Sequence, residues 1–192
     1  MVNALKYMLF FVFFCCLLGC QVRSVLLDKE LPDEEYLPKS FGQNIIKSKY
    51  IFYKYSDSLS TILKDKPQEY VFEIFENEKK YTSLGAVENW VVFNYKKGIQ
   101  ELIKRITNTK EVGLEGSYNL VINYRVENGD MLLEPGEVID DDLFRVYGRA
   151  NYLLKEITGE DFGSADLYSS DKELLKLQRK WIRWYNRLCQ KN

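Results

Sequence analysis

"DDDLFRVYGRANYLLKEITGEDFG", residues 140–163, holds the clearest helical signal in the chain. Leu143, Val146, Tyr147, Ala150, Leu153, Leu154 and Ile157 recur at steps of three and four, which places them on one helical stripe. Asp140 to Asp142 offer N-cap side chains and negative charge where a helix would begin. Thr158-Gly159 supplies the stop. Gly148 and Ala150 leave little side chain, so a second helix is expected to approach closely there. An acidic triplet also suggests calcium, but the alternating ligands and sixth-position glycine of an EF-hand loop are missing. The triplet therefore reads as a cap, and no metal is expected.

Downstream, "SSDKELLKLQRKWIRWYNRLCQ", residues 169–190, opens with Ser170 or Asp171 as cap. Leu174, Leu177, Trp181, Trp184 and Leu188 form its apolar stripe, widened by Leu175, Ile182 and Tyr185. Lys176, Arg179, Lys180, Arg183, Arg187 and Lys191 take the remaining positions. Three readings are open. The aromatic face caps a helical core and the bases are solvated, which is the favoured one. The basic face meets anionic lipid headgroups. Or Trp181, Trp184, Arg179, Lys180, Arg183 and Arg187 form an exposed protein-binding hot spot.

Upstream, short helices follow one another. "SDSLSTILK" is a candidate, and "DKPQEYVFEIFENEKK" has Pro67 near a first turn. "SLGAVENWVVFNYKKG" is expected to start on a capping Ser83 and stop at Gly98. "IQELIKRI" sets Ile99, Leu102, Ile103 and Ile106 on one face. Residues 118–134 are ambiguous. Leu120, Ile122, Tyr124 and Val126 alternate before the hairpin dipeptide Asn128-Gly129, yet a helix from Tyr118 to Glu127 is equally legible. Helical neighbours favour the helix. The fold class is mainly α, an irregular helical bundle or short HEAT-like array with at most a small β-hairpin near 118–134.

"IQELIKRI" and "RANYLLKEITGEDFG" look like halves of HEAT-type repeats, and "LLKEITGEDFG" followed by "WIRWY" is similar to the ending of many bacterial HEAT-like proteins. The resemblance covers 60 to 80 residues at most. It implies helical packing and a scaffold or protein-binding role, with nothing catalytic. No clear repeat period runs through the whole chain, and solenoids need about three repeats. An irregular helical domain is therefore expected in place of a true solenoid.

The chain begins differently. Lys6 is followed by an uncharged apolar run from Tyr7 to Leu18, too short for a comfortable membrane span of roughly 20 residues. This is the pattern of a secretory signal. Leu17-Leu18-Gly19-Cys20 resembles the lipobox of bacterial lipoproteins. The resemblance implies cleavage before Cys20, a diacylglycerol on its thiol and residence in the cell envelope. Gln21 in place of Asp leans towards the outer membrane in a Gram-negative cell. Two or three acyl chains on one Cys hold a protein durably where one chain holds it marginally. Residues 1–19 would then be the signal peptide, 20–44 a flexible tether and 45–192 a single helical domain. The tether reading rests on "DKELPDEEYLPKSFG", with its prolines, acids and lack of apolar period.

Composition sets limits. Cleavage leaves 173 residues, enough for one real core. The chain has no histidine, which excludes Ser-His-Asp and Cys-His catalysis and His-ligated zinc. Beyond the anchor only Cys189 carries a thiol, so no disulfide framework exists. Glu134 to Asp142 offer carboxylates for a glycosidase-like acid and base, the least favoured reading. No phosphate loop or nucleophile elbow appears. Charge is uneven: residues 20–170 hold 19 basic and 26 acidic side chains, whereas residues 171–192 hold seven and two. An exported acidic protein is not expected to bind nucleic acid, and no cofactor is expected.

The expectation is a lipid-anchored, non-catalytic protein-binding module of the envelope, of inhibitor or immunity type, with an acidic face for a basic protein. The alternative is a structural envelope component that touches lipid or another subunit through its basic C-terminal helix.

Overall fold

The computed structural model describes residue 41 and residues 58–116, 120–122 and 137–190. The described chain is mainly helical. Its helices are α1 (Ser58–Leu63), α2 (Gln68–Asn77), α3 (Tyr81–Phe93), α4 (Tyr95–Arg105), α5 (Val146–Thr158) and α6 (Asp171–Gln190). Strands β1 (Leu120–Ile122) and β2 (Glu137–Ile139) fall between α4 and α5.

Helix α3 lies at the centre, against α1, α2, α4 and α5. Neighbours on several sides explain why its buried residues Leu84, Ala86, Val87, Trp90, Val91 and Val92 do not form one narrow stripe. Helix α4 packs on α3, α5 and α6. Its expected stripe of Ile99, Leu102, Ile103 and Ile106 is completely buried. The stripe of residues 143–157 is buried as well, from Leu143 to Ile157. Gly159, at φ +71°, ends α5 in the left-handed conformation that glycine adopts without strain, and its N–H donates to the Lys155 carbonyl. Arg105 ties α2 to α4: it pairs with Glu76 and Glu101 while its guanidinium lies 4.2 Å from the Phe72 ring centroid.

Several expectations are corrected. Ser83 does not cap α3; the helix starts two residues earlier, and Ser83 is buried within it. The first N–H of α3, on Tyr81, is satisfied by the Glu115 carbonyl. Gly98 is not a helix stop. It lies inside α4, where a Cβ would come within 2.8 Å of the Val91 side chain, so its lack of one lets α3 and α4 meet. Gly148 likewise makes room, but for a loop and not for a second helix: a Cβ there would be 2.1 Å from the Asp142 carbonyl oxygen.

The acidic triplet does not cap α5. The helix begins at Val146, after Arg145, with no side-chain cap. The segment after α4 takes that role: the Lys110 and Asn108 carbonyls accept from the Val146 and Tyr147 N–H groups, both at 3.0 Å. This leaves Asp141 and Asp142 free to be buried for other purposes.

Neither reading of residues 118–134 fits residues 120–122. Leu120, Val121 and Ile122 pair in parallel with Glu137, Val138 and Ile139. A helix is thereby ruled out for these three residues, and a parallel pair cannot be joined by a two-residue hairpin turn. Tyr124, Val126 and the Asn128-Gly129 dipeptide lie outside the described residues.

Arg149 joins these parts. It is almost fully buried, with no carboxylate in its set of hydrogen bonds. Its Nε donates to the Leu143 carbonyl at 2.8 Å, Nη1 to Phe75 and Glu78 at 2.9 Å each, and Nη2 to Gly113 at 2.6 Å. Phe75 and Glu78 sit at the C-terminal end of α2, where carbonyls lack intrahelical donors and the helix dipole is negative. Burial pulls the guanidinium down to about 10, so it remains charged at neutral pH.

Candidate functional site

Helix α6 is the element on which the sequence places most of its functional residues. Its start is a reciprocal capping box: the Glu173 carboxylate accepts from the Ser170 N–H at 2.9 Å and hydroxyl at 2.6 Å, and the Ser170 hydroxyl accepts from the Glu173 N–H at 3.4 Å. Hydrogen bonding to Ser170 lowers the Glu173 pKa. Ser170, and not Asp171, is therefore the cap.

The inner face of α6 belongs to the core. Trp181 is completely buried and Trp184 is 5% exposed. Both are withdrawn from the expected contact surface, because each is used inside the fold. Trp181 Nε1 donates to Asn151 Oδ1 at 2.8 Å, and its ring meets Phe162 edge-on at 4.7 Å between centroids. Trp184 meets Trp181 at 5.5 Å and Phe41 at 5.7 Å. Phe41 also contacts Tyr95 at 6.1 Å, so a residue inside the stretch read as tether is seated between α4 and α6. Gln178 Nε2 donates to the carbonyls of Ile103 and Lys104 in the last turn of α4. Gln100 Nε2 donates to the Tyr185 hydroxyl at 2.9 Å. Cys189 is buried, and burial raises its thiol pKa.

Beneath α6 lies a buried polar hub that sequence reading missed. Asp141 Oδ1 accepts from Asn151 Nδ2 at 2.8 Å and from the Ala165 N–H at 2.7 Å, and Oδ2 accepts from Lys155 Nζ at 3.2 Å. Asn151 Nδ2 also donates to the Gly163 carbonyl at 2.8 Å. The segment after α5 is thus held against α6 through Asp141, Asn151 and Trp181. Burial raises the Asp141 pKa against the opposing pull of Lys155 and the hydrogen-bond donors. Asp142, also buried, accepts from the Phe144 N–H at 3.3 Å. These carboxylates are part of the scaffold. Glu134 lies outside the described residues, as does Cys20. Among the described residues no cluster of three Cys, Asp or Glu side chains could hold a metal ion.

The outer face of α6 is of another kind. Arg179, Arg183 and Arg187 are exposed, and Lys172 and Lys176 continue the row towards the N-terminus. At 100° per residue these five fall within an arc of about 80°, on a line roughly 22 Å long. No Asp or Glu occurs between Leu174 and Gln190. Among the described residues, none of the five is in an ion pair with a carboxylate. Lys180 stands at the edge of the row, half-buried, with Nζ fixed to the Phe162 carbonyl at 2.7 Å. Beside it Lys180, Arg183, Asn186, Arg187 and Gln190 line a shallow groove of about 430 Å³. Among the described residues the lining contains cations and amides but no carboxylate.

No family model, curated protein or solved structure matches this chain.

Proposed function

We propose that this chain is a lipid-anchored protein of a bacterial envelope, and that its helical domain binds a partner without catalysing a reaction. The contact surface is the outer face of α6, and the partner is anionic. The observation that carries this reading is the division of α6. Its aromatic residues are held in the core, while five cations stand in one exposed row, with no acid on the helix from Leu174 to Gln190. The lipobox-like Leu17-Leu18-Gly19-Cys20 supports the anchor. The scaffold roles of Asp141 and Asp142 support a non-catalytic domain, since they engage the two buried carboxylates of the acid-rich stretch.

Burial of Trp181 and Trp184 also changes the kind of contact. A protein hot spot is built on exposed aromatic anchors, and an interfacial helix inserts its apolar face. With both tryptophans inside, binding by α6 is electrostatic and sensitive to salt.

Lysine acetylation read by mass spectrometry on isolated envelope membranes tests this. Lys172 and Lys176 should react more slowly in membranes than in the detergent-solubilised chain, and high salt or the variant R179E/R183E/R187E should remove the difference. Equal reactivity in both states would overturn the proposal. Palmitate labelling of the wild type, absent from Cys20→Ala, checks the anchor separately.

A further inference from the structure

We infer that the anionic partner of α6 is a phospholipid headgroup surface, and that the groove beside Arg183 seats a headgroup phosphate. This rests on the proposal that the outer face of α6 is a binding surface, and it adds the identity of what is bound.

Three observations carry it. The cations follow a straight helix flank, roughly 22 Å long and convex. Such a flank fits an extended, evenly charged plane better than it fits a protein pocket. Helix α6 itself adds no exposed aromatic to the row, because Trp181, Trp184 and Tyr185 all face inward; the exposed Tyr168, from the preceding loop, borders the Lys176 end. Protein hot spots are enriched in such anchors, whereas clusters of four to eight Lys or Arg without them are enough to hold an anionic leaflet. Finally, the groove is built for a compact anion. Lys180, Arg183 and Arg187 surround it with positive charge, and Asn186 and Gln190 add amide groups. Lys180 is held in place through the Phe162 carbonyl, and the Phe162 ring is in turn packed on Trp181. One cation of the groove is therefore fixed before any ligand arrives. A phosphate there gains charge-assisted hydrogen bonds that a carboxylate side chain, with two oxygens, satisfies less completely. The apolar face of α6 stays in the core throughout, so the helix lies along the headgroups without entering the acyl region.

The test uses the full chain reconstituted into vesicles of phosphatidylcholine alone or mixed with phosphatidylglycerol. Acetylation of Lys172 and Lys176 should slow in the anionic vesicles only, with exposed Lys64 on the far side of the chain sequence as internal control. Each cation near an anionic surface alters partitioning about fivefold. Arg183→Gln and Arg187→Gln should each weaken the protection by about that factor, and together they should abolish any effect of free inorganic phosphate as competitor. Lys180 is left intact in these variants because of its bond to Phe162. Equal acetylation in both vesicle types would overturn the headgroup assignment. If the same lysines were still protected in envelope membranes, the partner would be an acidic protein and the binding role of the face would stand. Competition by inorganic phosphate without any protection on anionic vesicles would assign the groove to a free anion and also overturn the lipid assignment.

Discussion

The polar groups buried in the core and those on the outer face of α6 differ in how far they are committed. On the inner side, Asp141, Arg149, Asn151 and Gln178 are buried, and each is matched to donors or acceptors from distant segments. On the outer side, Lys172, Lys176, Arg179, Arg183 and Arg187 are exposed and form no ion pair with a described carboxylate. Buried polar groups are expensive to leave unmatched, so the inner set is held by folding itself. Exposed charges cost little either way, so folding does not explain why five of one sign stand together. Their arrangement calls for a different cause, and contact with an anionic surface is one that needs nothing else from the fold.

Substitutions on the inner side should therefore be severe. Gly148→Ala should be the worst, because the new methyl would overlap the Asp142 backbone, which is itself tied to Ala165. A loss of at least about 3 kcal/mol in urea unfolding is expected. Gly85→Ala is the matched control: its site in α3 is open, and a gain of up to about 1 kcal/mol is expected. A Gly148→Ala protein as stable as the wild type would mean that the loop carrying Asp142 is not held where it is described. Arg149→Met should come next, at about 3 kcal/mol, since four backbone carbonyls lose their donor together.

At the boundary between the two regions the effects become moderate. Ser170→Ala removes one half of the capping box, and about 1 kcal/mol should be lost. The pH response sharpens the comparison because two carboxylates shift in opposite directions. Burial raises the folded pKa of Asp141 above its ordinary 3.8, so the penalty for its charge is relieved as pH falls through the folded value. Relative to Asp141→Asn, the wild type should gain stability on that descent. For Glu101, burial pushes upward, but Arg105 and Lys104 outweigh it and hold the pKa below its ordinary 4.5. Its stabilising contribution is full above 4.5 and is lost as pH falls through the lower folded value. Relative to Glu101→Gln, the wild type should lose stability there. Urea unfolding at stepped acidic pH measures both differences, and a shared sign would contradict the assignment.

The same contrast explains what could be read in advance. The helical stripes were legible because they depend on spacing: Ile99 to Ile106, Leu143 to Ile157 and Leu174 to Tyr185 all face inward. The row of bases on α6 was legible for the same reason. What escaped was everything that depends on a distant partner. Asp140 to Asp142 have the composition of a cap, yet the carbonyls of Asn108 and Lys110 occupy the place where a cap would act. Gly98 resembles a helix stop because nothing local reveals that Val91 lies against it. Leu120 to Ile122 alternate as a hairpin strand would, but their partner is a parallel strand from 137 to 139. Asn151 carries no local signal at all, since its role is set by Asp141, Gly163 and Trp181 together. The tryptophans could be placed on a stripe but not assigned to core or surface, because both choices leave the same periodicity.

The smallest effect on stability should come from the largest change of charge. Arg179, Arg183 and Arg187, replaced together by Glu, alter the net charge of the outer face by six while leaving the inner face of α6 untouched. The most direct measurement is urea unfolding of this triple variant beside the wild type. The account expects midpoints that agree to within about 0.5 kcal/mol, with the variant fully helical. A loss of several kcal/mol would show that the basic row is part of what holds the domain together, and would contradict its assignment as a surface kept free for an anionic partner.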